Sequence, residues 1–377
     1  MKRSFGFTRD RKNLLIAEDM SRREFLKAGI VLAAVASGLE MIGGCATTET
    51  TKGMTIVYPP LPYDKIQPPQ EGCLVGFFKE PEASLRAKDS KFVYRRLPII
   101  EVNQIENDIT YIENALNAKP SIFIITKLLY SAFPMTQAIA VAKRGIVPYL
   151  HIDIGPFDLT TPIPVLSPKE IAQGQHDGHI KKYAQGALEF GRENGGFFFS
   201  TMVDMNGGWF SWGKNPNFIT SWRRIWQIFD DQGANQYATW VWVPYCPEGS
   251  PQHADDPELY YPGDKYVDWI GINAFSVVGN TKSDYMLNVL MRETYRQLFK
   301  KHPQKPFMIS WFARTNDFYQ SRWLINAYKS IKTSFPAIKA AMYSDKTSSH
   351  SGDHTLNPKS WQTLKEIFRD PYWIMAK

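Results

Sequence analysis

With 377 residues, 44% hydrophobic and 14% aromatic side chains, the chain has an ordinary globular composition, long enough for one large barrel or two modest domains. The formal charge is +7, but residues 1–44 hold eight Lys/Arg against five Asp/Glu, a surplus of 3 that leaves +4 on the rest. An excess that diffuse argues against a polyanion partner, and no nucleic acid is expected.

In chain order, the first organised feature is SRREFLKAG at residues 21–29, followed by the apolar run IVLAAVASGL and by MIGGC ending at Cys45. Arg22 and Arg23 ahead of Phe25, Leu26 and Lys27, then a short apolar run, then Ile42, Gly43 and Gly44 before a cysteine, resemble a twin-arginine export signal joined to a lipobox. The apolar run is too short for a conventional membrane span. The competing reading is a short amphipathic helix. The resemblance implies a signal peptide over residues 1–44, acylation of Cys45, passage through the twin-arginine export machinery across the cytoplasmic membrane, and a lipid anchor holding the protein to a membrane of the cell envelope. Met20 directly precedes the arginine pair, so Met1 and Met20 are both candidate starts.

Residues 45–70 are rich in Thr and Pro with no apolar period and are expected to be a tether. The other cysteines, Cys73 and Cys246, are far apart and not in metal-like spacing. For a protein exported folded from a reducing compartment they are expected to be buried free thiols.

From residue 71 to 377 strand-like and helix-like stretches alternate. Eight candidate strands are CLVGFF, SIFIIT, GIVPYLHIDI, GFFFSTMV, YATWVWV, VDWIGINAF, PFMISWF and IKAAMYS. Between them, Ile105, Ile109, Ile112 and Leu116 share one helical face, as do Ile180, Tyr183, Ala184, Ala187 and Leu188. Near-continuous apolar strands are those of a parallel sheet covered on both sides. Eight βα units without a Gly-rich phosphate loop after the first strand fit a single-domain α/β fold, a (β/α)8 TIM barrel, better than an open doubly wound sheet. In that fold the chemistry sits where strands end and βα loops begin.

The loop after the fourth strand reads DMNGGWFSWG, residues 204–213. Asp204 is its only carboxylate, Asn206 offers an amide, and Trp209 and Trp212 are candidate platforms for the apolar faces of sugar rings. His151 and Asp153 end the third strand, where buried polar residues are often no more than hydrogen-bonded supports. Trp240 and Trp242 alternate onto one face of the fifth strand, so that pair is expected to be partly structural. SSHSGDH holds His350, Asp353 and His354 but no further ligand cluster, and reads as a solvated loop; no metal or cofactor is expected.

Together, IAQGQHDGHIKKYAQGALEFG, DMNGGWFSWG, TWVWVPY and YYPGDKYVDWIGINAF resemble the glycoside hydrolase family 26 barrel, whose members are mainly β-mannanases, over most of residues 72–345. The resemblance implies an acid/base on the fourth strand and a nucleophile on the seventh, and it exposes departures at both. The family's His-Glu-Met-Asn is Val203-Asp204-Met205-Asn206 here. The nucleophile position holds Trp311, and the adjacent Ser310 is no carboxylate. The sixth-strand Asp and Tyr are Asn273 and Phe275, and an expected Arg is Ser200. A retaining glycosidase needs two carboxylates about 5 to 5.5 Å apart. The expectation is therefore an exported barrel that binds a β-linked, mannan-like polysaccharide through Asn206, Trp209, Trp212, Trp242, Phe275, His151 and Asp153, with retaining hydrolysis lost or impaired. An active glycanase using Asp204 as acid and Asp153 or Glu248 as a relocated base is the alternative. A structural envelope protein would fill the cleft with its own side chains.

Overall fold

A computed structural model describes residues 56–79, 102–155, 166–247, 254–276, 286–348 and 352–377. Arg22, Arg23, Cys45, the signal over residues 1–44, Glu248 and His350 lie outside the described residues.

The eight apolar stretches become the strands β1 (Cys73–Lys79), β2 (Ile122–Leu128), β3 (Val147–Asp153), β4 (Phe197–Ser200), β5 (Ala238–Trp242), β6 (Trp269–Ser276), β7 (Phe307–Arg314) and β8 (Ile338–Asp345). Neighbours pair in parallel in chain order, and β1 pairs with β8 from Leu74↔Ala340 to Lys79↔Asp345, closing the barrel. The single-domain (β/α)8 barrel expected from the alternation is the observed fold. Two short additions were not expected: a hairpin of β9 (Thr347–Ser348) and β10 (Gly352–Asp353), and β11 (Trp373–Ile374), which pairs with β1.

The helices are α1 (Val102–Leu116), α2 (Met135–Ala142), α3 (Pro168–Ala172), α4 (Asp177–Asn194), α5 (Phe218–Asp231), α6 (Leu287–Lys301), α7 (Gln320–Ser334) and α8 (Pro358–Ile367). Ile105, Ile109, Ile112 and Leu116 are all buried on α1, as their spacing requires. On α4 the buried stripe runs Ile180, Tyr183, Ala184, Ala187, Phe190 and Gly191, and Leu188 falls at its edge, partly exposed. A capping box, Ser167 with Glu170, starts α3 by satisfying backbone donors at the first turn.

Alternation along the strands separates two apolar layers. The inner one contains Phe78, Ile122, Ile124, Tyr149, Phe198, Val241, Val243, Trp269, Met308, Ala340 and Met342. Odd-face partners such as Phe77, Phe199 and Trp240 pack outward against helices. Gly76 keeps β1 close to its neighbours, since a Cβ there would collide with Met342 and Ile122.

The tether expectation is corrected at its C-terminal end. Residues 58–70 are bonded across the N-terminal ends of the strands. Tyr58 donates to Ala337 O (3.3 Å), Asp64 N–H to Gln236 O (3.1 Å) and Ile66 N–H to Thr239 Oγ1 (2.8 Å). Lys65 pairs with Asp268 at 2.7 Å, and Leu61 and Ile66 pack against the inner core. Extended, Pro-rich chain has no side-chain period, so its burial left no pattern to read. Cys73 and Cys246 are both buried, and neither is in a disulfide among the described residues.

Candidate active site

The C-terminal ends of the strands form the mouth. β4 stops at Ser200 because the next residues leave extended backbone: Met202 (φ 47°) and Asp204 (φ 54°) are both left-handed, a region Asp tolerates better than most residues. Asp204 N–H donates to Val243 O at 2.8 Å, which pins this turn to the end of β5. The carboxyl is buried and accepts from Asn273 Nδ2 at 2.8 Å and from the Trp209 indole. Burial pushes Asp204 up to about 7; the Asn273 hydrogen bond and the His151 charge oppose that rise, and the charge of Asp153 adds to it.

On β3, His151 Nε2 donates to Asp153 Oδ2 at 3.0 Å. Beside it, the register of β7 shifts between Ile272 and Asn273 on its β6 side and, on its β8 side, between Phe307 and Met308 and again between Ile309 and Phe312. A bulge lets two successive residues face the same side. Ser310 shares a 2.8 Å hydrogen bond with the Tyr149 hydroxyl inside the barrel, while Trp311 stacks with His151 (centroids 4.6 Å, 12°) and Phe78 (5.1 Å, 24°). Lys346 holds its ammonium 4.6 Å from the Trp311 ring. β6 contributes Asn273 and Phe275, the latter stacked on buried His354 (5.6 Å). Among the described residues, β6 and β7 thus carry amide, hydroxyl and aromatic groups toward the mouth, and no carboxylate.

The other expected site residues divide. Trp209 is half-buried, set edge-on to Tyr245 (5.0 Å, 78°), and folded over Gly207, where any Cβ would strike the indole. Trp212 is corrected: it is wholly buried, stacked on Phe210 at 4.4 Å, with its indole donating to Val203 O (2.8 Å), so it has no face for a ligand. Trp242 is corrected too. Val241 and Val243 occupy the inner core, which puts Trp240 and Trp242 on the outer face of β5, where Trp242 packs edge-on to Tyr261. Asn206 is wholly buried and its amide is used up within the protein: it donates to Tyr245 O and Asp255 O and accepts from Tyr245 N–H, at 2.9 to 3.1 Å. It clamps two loops together rather than facing a ligand. In the SSHSGDH stretch, exposed Asp353 accepts from Thr355, and buried His354 lies under Phe275.

Residues not singled out from sequence complete the mouth: Phe78, Lys346 and Tyr245. Tyr245 follows β5 within the TWVWVPY stretch, and only its strand-end position could have marked it. Burial raises its hydroxyl, and the neighbouring Asp204 charge adds to that.

Several buried polar atoms around the mouth, among them His151 Nδ1, Asp153 Oδ1, Asn273 Oδ1 and Trp311 Nε1, have no partner among the described residues. Buried polar groups are normally satisfied, so these atoms are positions where a hydrogen-bonding ligand or ordered water can meet the protein. One buried acid, an amide that orients it and an aromatic wall can bind hydroxyl-bearing rings and donate a proton. Among the described residues, β7 brings no carboxylate to face Asp204 for double displacement.

The sequence has known relatives and the fold has known counterparts. The chain is 28% identical over 189 residues to Endoglucanase H of Acetivibrio thermocellus, covering 46% of this chain and 20% of that protein. It is 23% identical over 209 residues to mannan endo-1,4-beta-mannosidase A and B of Caldalkalibacillus mannanilyticus, covering 52% and 36%. It therefore spans only about a fifth and a third of the lengths of these relatives. Among solved structures, the family 26 β-mannanase of Bacteroides ovatus superimposes with a TM-score of 0.56 at 14% identity over 81% of this chain and 91% of that one. The family 26 structure from Muricauda sp. gives 0.54 at 17% identity over 81% and 92%. At these identities the structural matches establish the fold. The profile described as glycosyl hydrolase family 26 matches residues 165–376, more than half of the chain, and the chain belongs to that family.

Proposed function

We propose that the protein is a glycan-binding family 26 barrel that engages a β-linked, mannan-like polysaccharide at its mouth, with retaining hydrolysis lost or strongly reduced. The observation that carries this reading is Trp311. The bulge on β7 turns an indole, stacked on His151 and Phe78, toward the mouth where the mechanism requires a nucleophilic carboxylate. The unpartnered buried atoms of His151, Asp153, Asn273 and Trp311 support binding of hydroxyl groups there. Trp209 is the remaining candidate platform, with Phe275 at the rim. The mannan specificity in the names of the mannosidase and mannanase relatives supports mannan as the first ligand to test.

Loss of an aromatic stack is worth about 1 kcal/mol beyond area burial, so Trp209→Ala should weaken retention on insoluble β-mannan several-fold while the melting temperature stays close to that of the wild type. Equal retention of the variant, or no retention of the wild type on any β-glycan, would remove the reading.

One observation favours a second reading. Asp204, buried and close to neutral in its titration, has the poise of a general acid, and Asp153 lies near enough to perturb it. In that reading Asp153 activates water for inverting hydrolysis, which needs the two carboxyls roughly 6.5 to 9.5 Å apart on opposite sides of the bond.

The twin-arginine pair and lipobox support export and a lipid anchor at Cys45. Intact-mass analysis of the membrane-bound protein should find an acylated cysteine at residue 45; an unmodified residue there would discard the anchor.

A further inference from the structure

The outer wall of the barrel carries a groove between α1 and α8, on the opposite side of β1 from the mouth. Phe78 points into the mouth, whereas Phe77 and Lys79 point out beneath the groove. We propose that this groove is a second saccharide-binding site, taking a pyranose ring of a neutral glycan and acting beside the mouth on the same polymer. The choice of a β-glycan rests on the function proposed above; the groove itself stands on its own geometry.

The groove has a volume of about 440 Å³ and is lined by Tyr111, Asn114 and Ala115 of α1 and by Pro358, Trp361 and Gln362 of α8. Not one of these six side chains is charged, so the lining offers nothing to a phosphate or a carboxylate. Tyr111 is a large ring left 45% exposed, yet it is held in place. The Lys79 ammonium sits 4.5 Å from its centroid and is itself paired with Asp345 at 3.0 Å, and Trp361 meets the ring edge-on at 5.7 Å. A platform fixed in this way loses little conformational freedom on binding.

Trp361 supplies the second observation. Only 6% exposed and stacked on Phe77, it lines the groove, and its buried indole N–H has no acceptor among the described residues. A buried donor without a partner is costly unless a ligand or water meets it. At the rim, Gln362 donates one N–H to Glu366 (3.0 Å), and both Gln362 and Asn114 are exposed. An aromatic face with a donor and amides around it is the chemistry that accepts the C–H face of a sugar ring and its flanking hydroxyls. The small Ala115 leaves room for the ring to approach.

Two sites on one chain raise retention on a polymer through effective concentration even when each is weak. The mature full-length protein is therefore tested on insoluble β-mannan and on cellulose, alongside Tyr111→Ala, Gln362→Ala, Asn114→Ala and Trp209→Ala. Gln362 and Asn114 are exposed, so their variants probe the groove without threatening the fold. The expected result is about fivefold weaker retention for Tyr111→Ala, a smaller loss in the same direction for the two amide variants, and a further loss when Tyr111→Ala is combined with Trp209→Ala. Wild-type retention of Tyr111→Ala and Gln362→Ala, with binding still lost in Trp209→Ala, would overturn the groove and leave the mouth standing. Loss in the groove variants alone would uphold the groove and remove the mouth. Failure of the wild type to bind either polymer would overturn both.

Discussion

The two ends of this barrel solve opposite problems. At the N-terminal end, residues 58–70 cross the strand starts and the polar groups there are paired. Lys65 meets Asp268, Asp268 also accepts from Trp240 N–H at 2.8 Å, and Trp269 donates to Ile66 O at 3.2 Å. At the C-terminal end, left-handed residues, a β-bulge and buried atoms without partners among the described residues gather around a raised carboxyl. Strain and unsatisfied groups cost stability and persist at sites where function retains them. The contrast teaches that the closed end holds the fold together and that the open end keeps the groups on which the proposed function depends.

The largest effect should come from breaking the closed end. Asp268→Ala leaves Lys65 buried without its partner and Trp240 N–H without its acceptor, and should destabilise by about 3 kcal/mol in denaturant unfolding. A loss below about 0.5 kcal/mol, the range of an ordinary surface change, would show that this end is not the anchor described.

Next comes the open end, where the effect depends on pH. Folded Asp204 keeps its proton up to about pH 7, whereas the unfolded chain releases it near 3.8. Its contribution to stability is therefore present below about pH 4 and lost as pH rises through 7. Asp204→Asn removes that loss, so the melting temperature of the variant relative to wild type should rise between pH 4 and pH 8. Asp108, which burial pushes up to about 6, behaves in the same sense but cancels in this comparison. A flat difference across that range would mean the carboxyl is better solvated than its burial implies. The smallest effect is the several-fold weakening of glycan retention in Trp209→Ala.

Much of the closed architecture is legible in the amino-acid sequence. Strands buried on both faces read as unbroken apolar runs, and the eight strands of the barrel fall on the eight such runs. Asp204 and His151 are legible as well, because strand ends can be placed from those runs. The aromatic lining is not. Whether Trp212 faces a ligand or donates to Val203 O is decided by a turn through left-handed Met202 and Asp204, which no periodicity encodes. Trp242 follows alternation, but alternation alone does not say which of the two faces is inner. The bulge that turns both Ser310 and Trp311 inward is likewise set by pairing with β6 and β8. The packing of residues 58–70 is hidden because extended chain held by backbone bonds needs no apolar period.

The central claim, that the open end binds without ordinary retaining turnover, is tested most directly by reducing-sugar release from β-mannan by the purified wild type, with Asp204→Asn and Asp153→Asn assayed beside it. A site that lacks a nucleophile on β7 should give release indistinguishable among the three proteins and from a blank, while the wild type still binds the polymer. Robust release by the wild type that is abolished in both variants would contradict it and establish the inverting hydrolase instead.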